Sequence, residues 1–190
     1  TKPYRIPSIV TPINPKIDIA YGFNHGRSYL SGRGGARPPW RIKILIFHLF
    51  WRIKMKLSQH FSYQEFIKSQ TATRKGISNE PDDTQLYNMK MICANILEPV
   101  RVHFDKPVII TSGFRSPELC VAIGSSTNSQ HAKGEAADFE IPGVSNKELA
   151  DWIHDNLPYD QLILEFFDGK DPNSGWVHCS HKPENRGQYL

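Results

Sequence analysis

The chain is organised around residues 129–141, which read Ser129-Gln130-His131-Ala132-Lys133-Gly134-Glu135-Ala136-Ala137-Asp138-Phe139-Glu140-Ile141. The stretch places two good zinc ligands, a histidine and an aspartate, seven residues apart. Gly134 between them permits a tight turn. From Ala136 onward apolar and polar residues alternate, which predicts a half-buried strand with Asp138 on its open face. We therefore predict that His131 on a loop and Asp138 on the following strand converge on one metal ion.

A third candidate ligand lies on a later predicted strand, residues 175–180. There His178 shares one face with Trp176, while Val177 and Cys179 face the other way. Each candidate ligand alone is common as a packed or solvent-facing side chain, but the three together favour a metal site. Three protein ligands leave a fourth position for water, as in catalytic zinc sites. Zinc lowers the pKa of such a water to about 7.

A hydrolytic zinc site also needs a base that takes the proton of the water and returns it to the leaving group. Glu165 is the best candidate, because it ends a hydrophobic predicted strand just before the turn that leads back to His178. The alternative for Glu165 is a strand-end carboxylate that faces solvent. Four other acids are weaker candidates for the base: Glu135, Glu140, Asp168 and Asp171.

Arg115 lies in a glycine-containing turn, residues 112–116, that follows a predicted buried strand. Its planar guanidinium is suited to hold a substrate carboxylate or to stabilise an oxyanion. The alternative is a structural arginine that pairs with an acid.

Local patterns in the rest of the chain predict an α+β domain with a small, mainly antiparallel sheet and flanking helices. Helices are predicted over residues 62–69, 81–101, 116–124 and 145–156. Strands are predicted over residues 107–111, 136–141, 160–166 and 175–180, the last two as an antiparallel pair.

Charge divides the chain into two parts. Residues 1–54 contain ten Lys and Arg but one acid, and so carry +9, whereas 13 basic and 18 acidic residues give residues 55–190 a charge of −5. The net charge of +4 therefore gives no reason to expect nucleic-acid binding by the folded part. Cys93, Cys120 and Cys179 lack the spacing of a disulfide framework or a cysteine zinc site. The sequence contains no run of about 18 apolar residues, so no membrane span is predicted.

Residues 1–54 are interpreted as a basic, disordered leader or as over-extended upstream translation, and residues 55–190 as the domain. Met55 resembles a true start, and residues 51–54 are what a purine-rich ribosome-binding sequence encodes when it is translated in frame. The alternatives are a signal-peptide core or an interfacial helix in the apolar run 41–51. Mass spectrometry of the native N-terminus distinguishes these hypotheses.

The pattern SxHxxGxAxD over residues 129–138, with Trp176-Val177-His178, resembles the D-alanyl-D-alanine carboxypeptidase family of zinc peptidases. That family includes phage endolysin-type peptidases, and hedgehog signalling domains are distant structural relatives. The resemblance extends over about residues 61–190 and includes the turn 112–116, the strand 160–165 and Asn185-Arg186. The motif is highly specific within the family.

The resemblance implies that His131, Asp138 and His178 are the zinc ligands. It also implies that Arg115 binds substrate and that Glu165 corresponds to the strand glutamate of the muramoyl-pentapeptide carboxypeptidase and hedgehog branches. Several branches carry the base as an acid three residues before the last histidine, where this chain has Gly175. Ser129 and Trp176 are further predicted substrate contacts.

We expect a monomeric zinc-dependent peptidase, with one Zn²⁺, that hydrolyses an amide bond in the peptidoglycan stem peptide as a carboxypeptidase or an endopeptidase (endolysin). We expect no nucleic-acid partner and no membrane association of the folded domain. The expected site of action is the cell wall, reached from the cytoplasm without a convincing signal peptide, through phage lysis or a virion. The alternative is an inactive zinc module that binds cell wall or a virion partner, because hedgehog domains keep such a site without established peptidase activity.

Overall fold

A computed structural model describes residues 55–190, and the predictions for residues 1–54 lie outside the described residues. The helices are α1 (Tyr63–Ile67), α2 (Gln70–Lys75), α3 (Asp83–Ile92), α4 (Glu98–Phe104), α5 (Pro117–Ala122) and α6 (Asn146–Asn156). The strands are β1 (Ile109–Ser112), β2 (Ala136–Glu140), β3 (Gln161–Glu165), β4 (Trp176–Ser180) and β5 (Gln188–Tyr189). Over the described range, every helix is too short or too polar to span a lipid bilayer.

The five strands form one sheet in the order β1-β2-β4-β3-β5. All neighbours are antiparallel except β5, which pairs with β3 in parallel. The predicted α+β class with a mainly antiparallel sheet is therefore confirmed. Asp138 lies opposite His178, and Ile163 lies opposite His178 on its other side. Residues opposite each other share a face of the sheet, so this register places Asp138 and His178 side by side.

The helix boundaries follow from side-chain caps. Ser62 and Glu65 form the predicted capping box of α1, and the hydroxyl of Ser145 accepts a hydrogen bond from the first turn of α6. Helix α2 was not predicted from the sequence. It is a six-residue helix that Ser69 caps and that ends at Gly76, so it is too short to show a helical period.

The long predicted helix over residues 81–101 is interrupted by a π-helical turn, Cys93–Leu97, between α3 and α4. The ring of a proline inside a helix clashes with the carbonyl four residues earlier and removes a backbone donor. Pro99 lies directly after the turn, whose wider hydrogen bond runs from the N–H of Glu98 to the carbonyl of Cys93. The π turn thus lets the helix continue past Pro99 to Phe104.

The large buried apolar side chains of the sheet lie on one face. Phe139, Leu162 and Val177 on this face belong to the same core cluster as Met89 and Leu149 from the helices. The strand predicted as buried, 107–111, is instead the edge strand β1, and its Ile109 is 43% exposed. Ile109 pairs with the exposed Glu140 on the face that the helical core does not cover, so it faces solvent. Because the helical core uses only one face, the opposite face is available for polar side chains.

Candidate metal centre

Three side chains converge on the polar face of the sheet. His131 lies on the turn before β2, Asp138 lies in β2, His178 lies in β4, and all three are buried. Their inward atoms, His131 Nε2, Asp138 Oδ1 and His178 Nδ1, stand 2.8 to 3.2 Å apart. In a tetrahedral zinc site with bonds of about 2.0 Å, ligand atoms stand about 3.3 Å apart. The spacing therefore fits one small ion, as the sequence predicts.

Hydrogen bonds on the far side of each imidazole leave the inward nitrogens as acceptors. His131 Nδ1 lies 2.7 Å from the carbonyl oxygen of Gly113. A carbonyl can only accept, so Nδ1 carries the hydrogen and Nε2 presents a lone pair. His178 Nε2 lies 3.1 Å from Gln130 Oε1, which likewise leaves Nδ1 as the acceptor once a cation is bound. A cation satisfies two such lone pairs and a carboxylate, so the residues present fit zinc.

The second oxygen of Asp138 is held by Arg115. Arg115 Nη2 donates to Asp138 Oδ2 at 2.8 Å, and Nε donates to the hydroxyl of Ser112 at 2.9 Å. The positive charge of Arg115 at this distance favours the ionised form of Asp138. The carboxylate is therefore ionised and ready to bind a cation.

The structure changes two of the predictions for the site, those for Asp138 and Arg115. Asp138 is not on an open face, because Arg115 and the two histidines cover it and leave the residue 5% exposed. Arg115 makes the structural ion pair that was its alternative interpretation. Its contact with substrate stays a prediction.

The turn that carries His131 is built by local contacts and pressed against the start of α3. The hydroxyl of Ser129 accepts the N–H of Ala132, and the side-chain amide of Gln85 donates to the Ala132 carbonyl. Gly134 has a φ of +73°, and a Cβ there would lie 2.5 Å from the carbonyl oxygen of Gln85. The close packing therefore requires glycine. Ser129 also lines an open cleft beside His131 and His178, and its contact with substrate stays a prediction.

An open cleft of about 470 Å³ runs past the three candidate ligands over the polar face of the sheet. Glu165 lines it together with His131 and His178. Glu165 lies at the end of β3 opposite Trp176, two residues beyond Ile163, the partner of His178. The predicted base and the metal ligands thus share one cavity. Trp176 contacts the exposed Phe166, with ring centroids 5.0 Å apart, and its contact with substrate also stays a prediction.

The competing acids differ in position. Glu135 lines the same cleft, and burial raises its pKa even though Lys133 and Lys182 lie nearby. Asp168 accepts backbone N–H groups from Lys170 and Asp171 and thereby builds the β3–β4 turn. Asp171 and Glu140 are exposed, the first in the same turn and the second at the end of β2. Glu135 is therefore the competitor of Glu165 that shares its cavity.

The β3–β4 turn explains why position 175 carries no acid. Gly175 has a φ of +69°, and a Cβ there would lie 1.7 Å from the carbonyl oxygen of Glu165. No side chain fits in this space. A base three residues before His178 is therefore incompatible with the turn that this chain makes.

Two residues that support His178, Gln130 and Asp160, were not predicted from the sequence. Gln130 Nε2 donates to Asp160 Oδ2 at 2.8 Å, and Asp160 is 1% exposed. Arg186 donates to both oxygens of Asp160, at 3.0 and 2.8 Å, and Lys182 Nζ lies 3.3 Å away. Burial raises the pKa of Asp160, but the bonds from Arg186 outweigh burial and lower it to about 2. The neighbouring position of Gln130 beside His131 was the available signal in the sequence.

Comparison with known proteins gives one family. A family model described as Peptidase M15 matches residues 59–180, more than half of the chain. The matched range contains the three candidate ligands, Arg115 and Glu165. No curated protein sequence matches the chain.

Proposed function

The chain belongs to the peptidase M15 family and is a metallopeptidase, and from this premise we propose that it hydrolyses an amide bond in the stem peptide of peptidoglycan. One zinc ion is held by His131, Asp138 and His178. The single observation that supports this proposal best is the convergence of three acceptor atoms within 3.2 Å of one another beside an open cleft. The cell wall is the proposed site of action.

The roles of the chain's own residues follow from their positions. Zinc, when bound, supplies an activated water and polarises the carbonyl of the scissile amide. Glu165, which lines the cleft, accepts the proton of the water and returns it to the leaving amine. Arg115 holds Asp138 Oδ2 and so keeps Oδ1 directed at the two histidines. We retain Arg115, Ser129 and Trp176 as proposed substrate contacts.

The proposal is tested with the full chain and isolated peptidoglycan, with and without a chelator, and with mass spectrometry of the released fragments. We expect fragments of one defined type, released only without chelator, and their masses identify the bond. A protein that binds zinc but releases nothing would overturn the proposal.

The base is tested with the matched pair Glu165→Gln and Glu135→Gln, because both glutamates line the cleft. We expect Glu165→Gln to keep zinc and to lose hydrolysis by at least about 10²-fold, the usual contribution of a general base. Glu135→Gln should hydrolyse at a rate close to that of the native protein. The reverse result would assign the base to Glu135.

Gly175 favours one second candidate, a zinc-containing module that binds cell wall without cleaving it. The acid that several branches place at this position is absent, and the turn excludes a side chain there. This candidate predicts bound zinc and co-sedimentation with peptidoglycan, but no released fragment.

A further inference from the structure

The residue before the first candidate ligand contacts the last one. Gln130 precedes His131 in the chain, and its side-chain carbonyl lies 3.1 Å from His178 Nε2. We propose that Gln130 is a positioning residue whose amide, oriented by Asp160, selects the tautomer of His178 that presents Nδ1 to the metal. The inference rests on the metal site of the proposed function, and it deepens that function by naming what prepares one ligand.

The orientation of the amide follows from its partner. Asp160 is ionised and can only accept hydrogen bonds, so the NH₂ end of Gln130 must face it, at 2.8 Å. The oxygen end then faces His178 Nε2, where only a donor can answer it. Asp138 Oδ1 makes the same demand on Nδ1, at 2.8 Å, so the two acceptors compete for the ring hydrogen until a cation binds Nδ1 and Oδ1. With a cation bound, Gln130 holds the hydrogen on Nε2 and directs Nδ1 to the metal.

Asp160 is well suited to orient the amide because its own position is fixed. Its oxygens accept from the guanidinium of Arg186 and from the backbone N–H of the same residue. Lys182 adds a second positive charge at 3.3 Å. A buried carboxylate held in this way keeps its charge and does not rotate freely.

The backbone of Gln130 is equally constrained. Its carbonyl accepts from the N–H groups of Lys133 and Glu135, inside the turn that carries His131. One residue thus links the His131 turn to the His178 strand. Because the amide is neutral, it fixes the imidazole without adding a second negative charge next to Asp138.

The native full chain gives the first test. Long-range ¹H–¹⁵N NMR of the histidine rings, in zinc-free and zinc-loaded protein, reports which nitrogen of His178 carries hydrogen. We expect Nε2–H in the zinc-loaded protein, with Nδ1 bound to zinc. Zinc bound through Nε2 of His178, with the hydrogen on Nδ1, would overturn the inference, and this test needs no variant.

The second test compares Gln130→Met with Gln161→Met. Gln161 lines the same cleft, but its amide donates to Gln188 and contacts no candidate ligand. Loss of an outer partner of a metal-bound histidine usually weakens metal affinity by about 10–100-fold. We expect that loss in Gln130→Met, measured by chelator competition for zinc. Gln161→Met should bind zinc within about twofold of the native protein, and equal affinity in both variants would overturn the inference.

A folding defect in Gln130→Met, checked by circular dichroism, would pass the decision to the native NMR result. Failure of this inference is distinct from failure of the proposed function. A native chain that binds no zinc refutes the metal site, whereas zinc binding that is unchanged in Gln130→Met refutes only the role of Gln130.

Discussion

At the residue scale, the metal centre depends on contacts behind the ligands as much as on the ligands. Each candidate ligand has a second atom held by the protein: His131 by Gly113, Asp138 by Arg115 and His178 by Gln130. Such outer contacts fix both the orientation and the protonation of the inner atoms. Changes to them should therefore alter metal binding before they alter the fold.

Arg115 provides a direct case. In Arg115→Met the carboxylate of Asp138 loses its donor at Oδ2 and can turn away from the histidines, so we expect zinc affinity to fall by about 10-fold. Chelator competition measures the change. Arg101→Met is the matched control, because within residues 55–190 the ion-pair partner of Arg101 is the exposed Asp105, at 3.6 Å. An unchanged affinity in Arg115→Met, or an equal loss in the control, would contradict this role.

The lowered pKa of Asp160 leads us to expect that the protein loses stability in acid. Its pKa in the folded protein is about 2 because Arg186 outweighs burial, and an unfolded aspartate has a pKa of about 3.9. Because the pKa is lower in the folded protein, ionised Asp160 stabilises the fold at pH values above the pKa of the unfolded chain. This stabilisation is lost as the pH falls from about 4 to about 2. The contribution is on the order of 1–2 kcal/mol. Urea unfolding at several pH values should show this component in the native protein but not in Asp160→Asn, and identical pH dependences would refute it.

At the scale of elements, the β3–β4 turn controls where the base can lie. Gly175 and Gly169 both lie in this turn with positive φ, at +69° and +75°. A Cβ at Gly169 would meet nothing within 4 Å, whereas one at Gly175 would collide with the Glu165 carbonyl. The pair therefore separates backbone strain from steric exclusion.

We expect Gly169→Ala to lower the free energy of unfolding by about 1 kcal/mol, the cost of a left-handed alanine. Gly175→Ala should lower it by about 3 kcal/mol or more, because the turn must also open. Urea denaturation of the two variants measures both values. Equal losses would show that the turn adjusts to a side chain at position 175.

The elements also show what local sequence patterns can and cannot reveal. Ser62 and Ser145 predict the starts of their helices because a cap involves residues within one turn. Alternation of apolar and polar residues predicts β2 and β4 because it too involves neighbouring residues. The contacts of Gln130 with Asp160 and of Gly175 with Glu165 join segments brought together only by the folded sheet. The two-residue strand β5 is too short to show any period. The convergence of His131, Asp138 and His178 was predictable because the three occur together in one motif pattern, and their supporting contacts were not predictable from local sequence.

At the scale of the whole molecule, the candidate ligands tie a turn to two adjacent strands. A ligand that binds only the folded state stabilises it, by about 2.7 kcal/mol at a concentration 100 times its Kd. We expect zinc to raise the urea midpoint of the full chain by a corresponding amount and a chelator to reverse it. His178→Ala should abolish the zinc effect. A midpoint that zinc leaves unchanged in the native protein would contradict binding at this centre.

Cys93 and Cys179 do not compete for the metal. Burial raises the pKa of the Cys93 and Cys179 thiols, and both belong to the core cluster on the opposite face of the sheet. A buried thiol that keeps its proton is a poor metal ligand. Both thiols therefore serve core packing.

The turn at Gly175 also limits how this protein can change by mutation. An acid at position 175 cannot be introduced by one substitution, because the first side chain placed there meets the Glu165 carbonyl. The turn would have to lengthen or change its conformation first, and that step would displace Glu165 before any replacement existed. A change from a base at position 165 to a base at position 175 thus passes through an intermediate that has neither base. A lineage with one arrangement therefore does not change readily to the other.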